Sequence, residues 1–155
     1  MTKVALSNGL RYERDGVVFP IAVLAPDEVT EYRNALDAIA MVRGESKRFD
    51  NLHLFFPWAY RLATHKAVLD AVETILGPDL VIDGTLIFYK PPRDGSYASW
   101  HQDSVYSGWH LTPSVSAWIA LTASEPANGC MRAIPGSHKL GLLDHDNVHD
   151  DPNLL

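Results

Sequence analysis

The sequence predicts an α+β or mainly β domain in which the helices come first and the strands follow. Three observations carry this. Apolar residues recur at spacings of three and four only ahead of Gly77. From Leu80 onward the apolar runs are short and rich in β-branched and aromatic residues. Those runs are separated by Pro, Gly and Asn turns too short to hold crossover helices, which favours an antiparallel sandwich or jelly roll over a parallel α/β sheet.

In chain order, residues 1–15 are polar and weakly patterned and read as a solvated lead-in. Val17 to Leu24 is β-branched and reads as a short strand, placed at an edge by Pro20, which has no N–H to give a ladder. A helix follows from Pro26, a residue suited to the first helical turn, with Asp27 and Glu28 at its positive end. Val29, Tyr32, Leu36 and Ile39 make its apolar stripe, and Gly44 caps it after Arg43. Glu45 to Arg48 reads as a loop. Pro57 starts a short helix after the aromatic stretch Leu52–Pro57. A further helix spans His65 to Leu76, with Val68, Leu69, Val72, Ile75 and Leu76 inward, and Gly77-Pro78 stops it. Strands are expected over 80–89, 97–103, 114–122 and 130–134. Leu111–Pro113 is expected to turn the chain, and Asn128-Gly129 is a short hairpin signal. The tail from Leu140 is polar.

At 155 residues the chain makes one domain. Its net charge of -6 and pI near 5.5 lack the basic face that a nucleic-acid partner needs. No apolar run approaches the length of a membrane span, and Met1–Ser7 lacks the apolar core of a signal peptide. Cys130 is the single cysteine and cannot form an intrachain disulfide, so a reducing cytoplasm is the expected compartment. Following a turn glycine, Cys130 reads as a small buried hydrophobe rather than a nucleophile.

The chemistry centres on Trp100-His101-Gln102-Asp103. His101 and Asp103 lie two positions apart, and on a strand such residues share one face. An imidazole and a carboxylate are two thirds of the 2-His-1-carboxylate triad that holds non-heme Fe(II) with open positions. Alone, the pair is also what surface hydrogen-bonding residues produce. Arg132 and Lys90 read either as anchors for an anionic group or as strand-edge charges. His138 reads as a group near the mouth of a site or as a loop-ordering hydrogen bond.

The neighbours of this pair carry a resemblance. Phe88-Tyr89-Lys90-Pro91-Pro92, Trp100-His101-Gln102-Asp103, Ala117-Trp118-Ile119-Ala120-Leu121, Asn128-Gly129-Cys130-Met131 and Ile134-Pro135-Gly136-Ser137-His138-Lys139, in this order, resemble the phytanoyl-CoA dioxygenase family. Leu52–Trp58 and Ile75–Pro78 resemble it too, so the likeness runs from about Gly16 to Leu155. Each motif alone is unspecific, and the ordered set is what identifies the family. The resemblance implies a double-stranded β-helix, or jelly roll, with the N-terminal helices packed on one side. It implies Fe(II), 2-oxoglutarate as cosubstrate and O2, used to hydroxylate a small-molecule substrate. His101 and Asp103 match the first two iron ligands, and a carboxylate at 103 points to hydroxylation rather than halogenation. Trp118 matches an indole lining the 2-oxoglutarate pocket, Leu86 a residue on the cosubstrate side, and Gln102 a residue reaching cosubstrate or substrate. From its own context, without the resemblance, Trp118 reads as a buried core indole.

The family's second iron-binding His and its 2-oxoglutarate-binding Arg lie on later strands than this chain reaches. His145 and His149 are present in the tail, as substitutes or as solvated surface groups. The chain is therefore expected to be an N-terminal portion of the domain that binds iron weakly and does not turn over. It is also expected to self-associate through an exposed sheet edge.

Overall fold

The computed structural model describes residues 3–44, 47–93, 95–107, 113–146 and 153–154. His149, the expected turn at Leu111–Thr112 and part of the loop expected at Glu45–Arg48 lie outside these residues. Among the described residues the regular elements are α1 (Lys3–Asp15), α2 (Pro26–Arg43), β1 (Arg48–Asp50), α3 (Pro57–Ala63), α4 (Lys66–Leu76), β2 (Leu86–Phe88) and a single turn, α5 (Ser104–Ser107).

The helices expected from Pro26, Pro57 and His65 form as expected. At the start of α2 the Glu28 carboxylate accepts the Ala25 N–H at 2.8 Å, which satisfies one of the donors a helix N-terminus leaves orphaned. Its stripe places Tyr32, Leu36 and Ala40 inside. Leu36 and Ala40 join Phe49, Leu52 and Ala59 in the core, with Ile39, Phe56, Trp58, Ile87, Tyr89 and Leu121 packed around them. His65 caps α4 by accepting the Ala67 N–H on its ring nitrogen at 3.3 Å.

The first fifteen residues are not a solvated lead-in. Residues 3–15 form α1, which packs on α4. Gly9, a poor helix former, makes the approach possible, because a Cβ there would stand 2.7 Å from the Thr74 carbonyl oxygen.

The strands are where expectation and structure part. β1 and β2 pair antiparallel, with Arg48 opposite Phe88, Phe49 opposite Ile87 and Asp50 opposite Leu86. The pairing extends by one bond at each end, Asn51 N–H to Thr85 carbonyl at 2.7 Å and Tyr89 N–H to Lys47 carbonyl at 2.8 Å. Arg48 is therefore in a strand rather than a loop, and the strand expected over 80–89 is confined to its second half. Residues 17–24, 97–103, 114–122 and 130–134 form no ladder strand, and Pro126–Asn128 is a 3-10 turn rather than a hairpin. A strand exists only through its partner, and no described residue pairs with 17–24, 114–122 or 130–134. The described chain is thus a mixed helical domain with a two-stranded sheet, and no jelly-roll ladder forms within it. One isolated bridge, Tyr97 parallel to Asn153, brings the tail back alongside the segment that leads to His101.

Candidate metal centre

His101 and Asp103 stand at the entry to α5 rather than on a strand. Val105 and Tyr106 donate their N–H groups back to the carbonyls of Gln102 and Asp103, each at 3.0 Å, so the chain turns where a strand was expected. His101 Nε2 lies 3.1 Å from Asp103 Oδ1.

The supporting contacts settle much of the chemistry. His101 Nδ1 donates to the Ser99 carbonyl at 2.7 Å. A carbonyl oxygen only accepts, so the proton is on Nδ1, and Nε2 is left to carry either a lone pair or a second proton. A backbone acceptor behind the ring is the arrangement that orients a metal-binding imidazole. The other carboxylate oxygen, Asp103 Oδ2, accepts the Ser116 hydroxyl. Tyr106 meets the His101 ring edge-on, with centroids 5.9 Å apart. The His101 side chain is 22% exposed and that of Asp103 64%.

An imidazole Nε2 and a carboxylate oxygen at 3.1 Å have between them a proton or a cation. Neighbouring ligand atoms on an octahedral ion with bonds of about 2.1 Å lie roughly 3 Å apart. The pair, its tautomer and its second shell therefore fit two cis ligands of such an ion. Among the described residues no group of three or more His, Cys, Asp or Glu converges to complete the set. His145 is committed elsewhere: its Nε2 accepts the Gln102 N–H at 2.9 Å and its Nδ1 donates to the Leu143 carbonyl at 2.7 Å. Both ring nitrogens of His145 are thus engaged away from the His101–Asp103 pair.

The remaining residues singled out in the sequence are spread around this pair. The Gln102 amide is held at both ends by the tail, its Nε2 donating to the Gly141 carbonyl at 2.9 Å and its Oε1 accepting the Leu143 N–H at 2.8 Å. Trp118 is half exposed on the segment that carries Ser116, rather than buried in the core. Leu86 is partly exposed on β2, opposite Asp50. Lys90 donates to the Gly129 carbonyl at 3.0 Å, which removes it as a free anion anchor. The Arg132 guanidinium lies 5.4 Å from the centroid of the Trp100 ring. His138 orders a loop, donating from Nε2 to the Glu13 carbonyl at 3.2 Å.

Three contributors were not legible in the sequence. Ser116 reaches Asp103 across thirteen positions, and Ser99 acts through its carbonyl, which no residue type signals. Tyr12, on α1, is half-buried, and its phenol pKa is pushed above the ordinary value by burial first and by the nearby Asp103 charge second. A hollow of about 350 Å³ lined by Asp37, Ala40, Met41, Gly44 and Tyr89 includes none of these residues.

Comparison with known proteins identifies the family. The family model described as phytanoyl-CoA dioxygenase (PhyH) matches residues 12–153. The chain belongs to the phytanoyl-CoA dioxygenase family. Among its relatives is a protein of Stutzerimonas stutzeri named as a probable alpha-ketoglutarate-dependent hypophosphite dioxygenase, 31% identical over 66% of this chain and 35% of its own length. The peroxisomal phytanoyl-CoA dioxygenase of Homo sapiens is 36% identical over 56% of this chain and 27% of its own. An ectoine dioxygenase of Sphingopyxis alaskensis is 27% identical over 90% of this chain and 52% of its own. The chain thus spans between about a quarter and a half of the relatives it matches. No solved structure matches it. No helix among the described residues is long and apolar enough to cross a membrane.

Proposed function

We propose that this chain carries the iron-binding turn of an Fe(II)- and 2-oxoglutarate-dependent dioxygenase that hydroxylates a small organic molecule. The observation that carries the reading is the His101 Nε2 to Asp103 Oδ1 approach at 3.1 Å, with the Ser99 carbonyl holding the imidazole proton on the opposite nitrogen. His101 and Asp103 would hold the iron, which when bound supplies the oxygen-activating chemistry of the reaction. Ser116 steadies the carboxylate by donating to the oxygen that does not face His101. Ionised Asp103 also offsets part of the metal's charge, which a small residue at 103 would not do.

Trp118 and Leu86 are assigned to the cosubstrate side. Their partial exposure supports this, since neither apolar side chain is consumed by the core. Gln102 would reach a cosubstrate only by giving up its bonds to Gly141 and Leu143. The segments 114–122 and 130–134 are read as jelly-roll strands, and their lack of ladder partners among the described residues leaves their edges open. The relatives' printed substrates, hypophosphite, ectoine and phytanoyl-CoA, share no scaffold, so the reading stops at a small molecule.

The test is Fe(II)-dependent decarboxylation of 2-oxoglutarate by the protein in which this chain occurs. Its loss in both His101→Ala and Asp103→Ala is expected, and undiminished decarboxylation in either variant would overturn the assignment. With two ligands converging among the described residues, the 155-residue chain by itself is expected to bind iron weakly and to show no decarboxylation. A second reading, a self-associating module without catalysis, is supported by the exposure of Trp118, Met131 and Ile134. It predicts a stable dimer in which Asp103→Ala changes nothing.

A further inference from the structure

The residues on either side of His101 are held by the tail. Asn153 grips Ser99 at two points, its Oδ1 accepting the Ser99 N–H at 3.2 Å and its Nδ2 donating to the Ser99 hydroxyl oxygen at 3.1 Å. Beside this grip the Leu154 N–H donates to the Tyr97 carbonyl at 2.9 Å, alongside the bridge between Tyr97 and Asn153. On the other side of His101, the Gln102 N–H donates to His145 Nε2 at 2.9 Å. The Gln102 side-chain amide reaches across Leu142, donating to the Gly141 carbonyl and accepting the Leu143 N–H.

Residues 97–103 form no ladder strand, so the register that a sheet would give them comes from these bonds instead. Ser99 gives its N–H and its hydroxyl to Asn153, and its carbonyl accepts from His101 Nδ1 at 2.7 Å. A contact at one point lets a residue swivel. Contacts at two points fix the frame of Ser99 from which the carbonyl projects. With Gln102 anchored as well, His101 is suspended between two fixed neighbours. The Ser99 carbonyl can only accept, so its direction decides which ring nitrogen of His101 carries the proton. The Ser99–Asn153 contact is partly buried, where water competes less for its bonds.

We propose that Asn153 is a positioning residue for the metal pair: by gripping Ser99 it aims the Ser99 carbonyl at His101 Nδ1 and keeps Nε2, the nitrogen that faces Asp103, free of a proton for the metal. The inference rests on the reading of His101 and Asp103 as iron ligands. It makes a metal ligand's tautomer depend on a side chain fifty-two positions further along the chain. Support of this kind, one residue removed from the ligand, is what holds a metal-binding imidazole in working orientation.

Nitrogen NMR of the histidine rings tests it without metal. The chain is labelled at its ring nitrogens and kept metal-free in mildly alkaline buffer, where imidazoles are neutral. Long-range proton–nitrogen spectra then show which ring nitrogen holds the proton. Wild-type His101 is expected with its proton on Nδ1. In Asn153→Ala a large share of His101 should pass to the form protonated on Nε2, and anaerobic titration should show Fe(II) affinity falling about tenfold. Asn153→Asp still accepts the Ser99 N–H and can accept from the Ser99 hydroxyl, so it should keep the wild-type tautomer. His65 is the internal control for folding, because its Nδ1 accepts the Ala67 N–H and its proton therefore stays on Nε2 in any folded variant. Should Asn153→Ala disturb His65 as well, the similarly sized Asn153→Leu, which fills the space without either bond, makes the same test. An unchanged His101 tautomer in the folded variant overturns this proposal and leaves the iron reading standing. No saturable Fe(II) binding in the wild type overturns the iron reading, and with it the role of Asn153 in metal binding.

Discussion

At the scale of single residues, the account rests on which atoms hold which. Asp103 Oδ2 accepts from Ser116, and outer-shell partners of this kind are worth roughly 10–100-fold in metal affinity. Ser116→Ala is accordingly expected to weaken Fe(II) binding by about tenfold, read by anaerobic titration; an unchanged affinity would show that Ser116 does not orient the carboxylate. Tyr12 makes a prediction in pH. Its phenol pKa is raised above the ordinary 10.0 in the folded chain, so the folded state holds that proton more tightly than the unfolded state. This contribution is complete below the unfolded value and is lost as the pH rises through the folded one. Urea unfolding in neutral and in strongly alkaline buffer should therefore show a smaller alkaline loss for Tyr12→Phe than for the wild type. Equal losses would place Tyr12 in solvent. The pair itself was legible in the sequence because imidazole and carboxylate two positions apart are chemically distinctive. Ser99 and Ser116 were not, since one acts through its main chain and the other across a fold that spacing cannot show.

At the scale of elements, helices were readable and strands were not, for a physical reason. A helix satisfies its own backbone, so the stripe in α2, the Pro26 start and the Gly44 stop are all local signals. β1 is three residues whose partner lies thirty-eight positions away, and nothing between Arg48 and Asp50 announces Phe88. α1 escaped detection because a glycine near its middle lowers its propensity, and its reason for being there is Thr74 on α4. The sheet, though small, seals the core through Phe49, which is 3% exposed. Phe49→Ala removes a ring from the contact between α2 and β2 and should cost about 3–5 kcal/mol. That is a large share of the stability of a single domain, so the variant's urea midpoint should fall steeply; a midpoint close to wild type would mean that the core does not close on Phe49.

At the scale of the whole molecule, the notable property is surface. The chain exposes 11475 Å², roughly half as much again as a compact monomer of its mass would. Trp118, Met131, Ile134, Leu142 and Leu143 are among the exposed apolar side chains, and they lie along segments that have no ladder partner among the described residues. Apolar surface of this kind associates. The 155-residue chain is expected to bind a hydrophobic dye strongly and to sediment above its monomer mass of 17.2 kDa, whereas a monomer with no dye response would show those segments covered. The His101–Asp103 turn is nevertheless held from two other parts of the chain, Ser116 on Asp103 and the tail residues Gly141, Leu143 and His145 on Gln102.

The claim on which everything else depends is that His101 and Asp103 bind iron together. Anaerobic titration of the wild-type chain with Fe(II), alongside His101→Ala and Asp103→Ala, measures it directly. Weak, saturable binding at one site per chain is expected, and both substitutions should abolish it. Binding that survives either substitution unchanged, or no saturable site in the wild type, would contradict it.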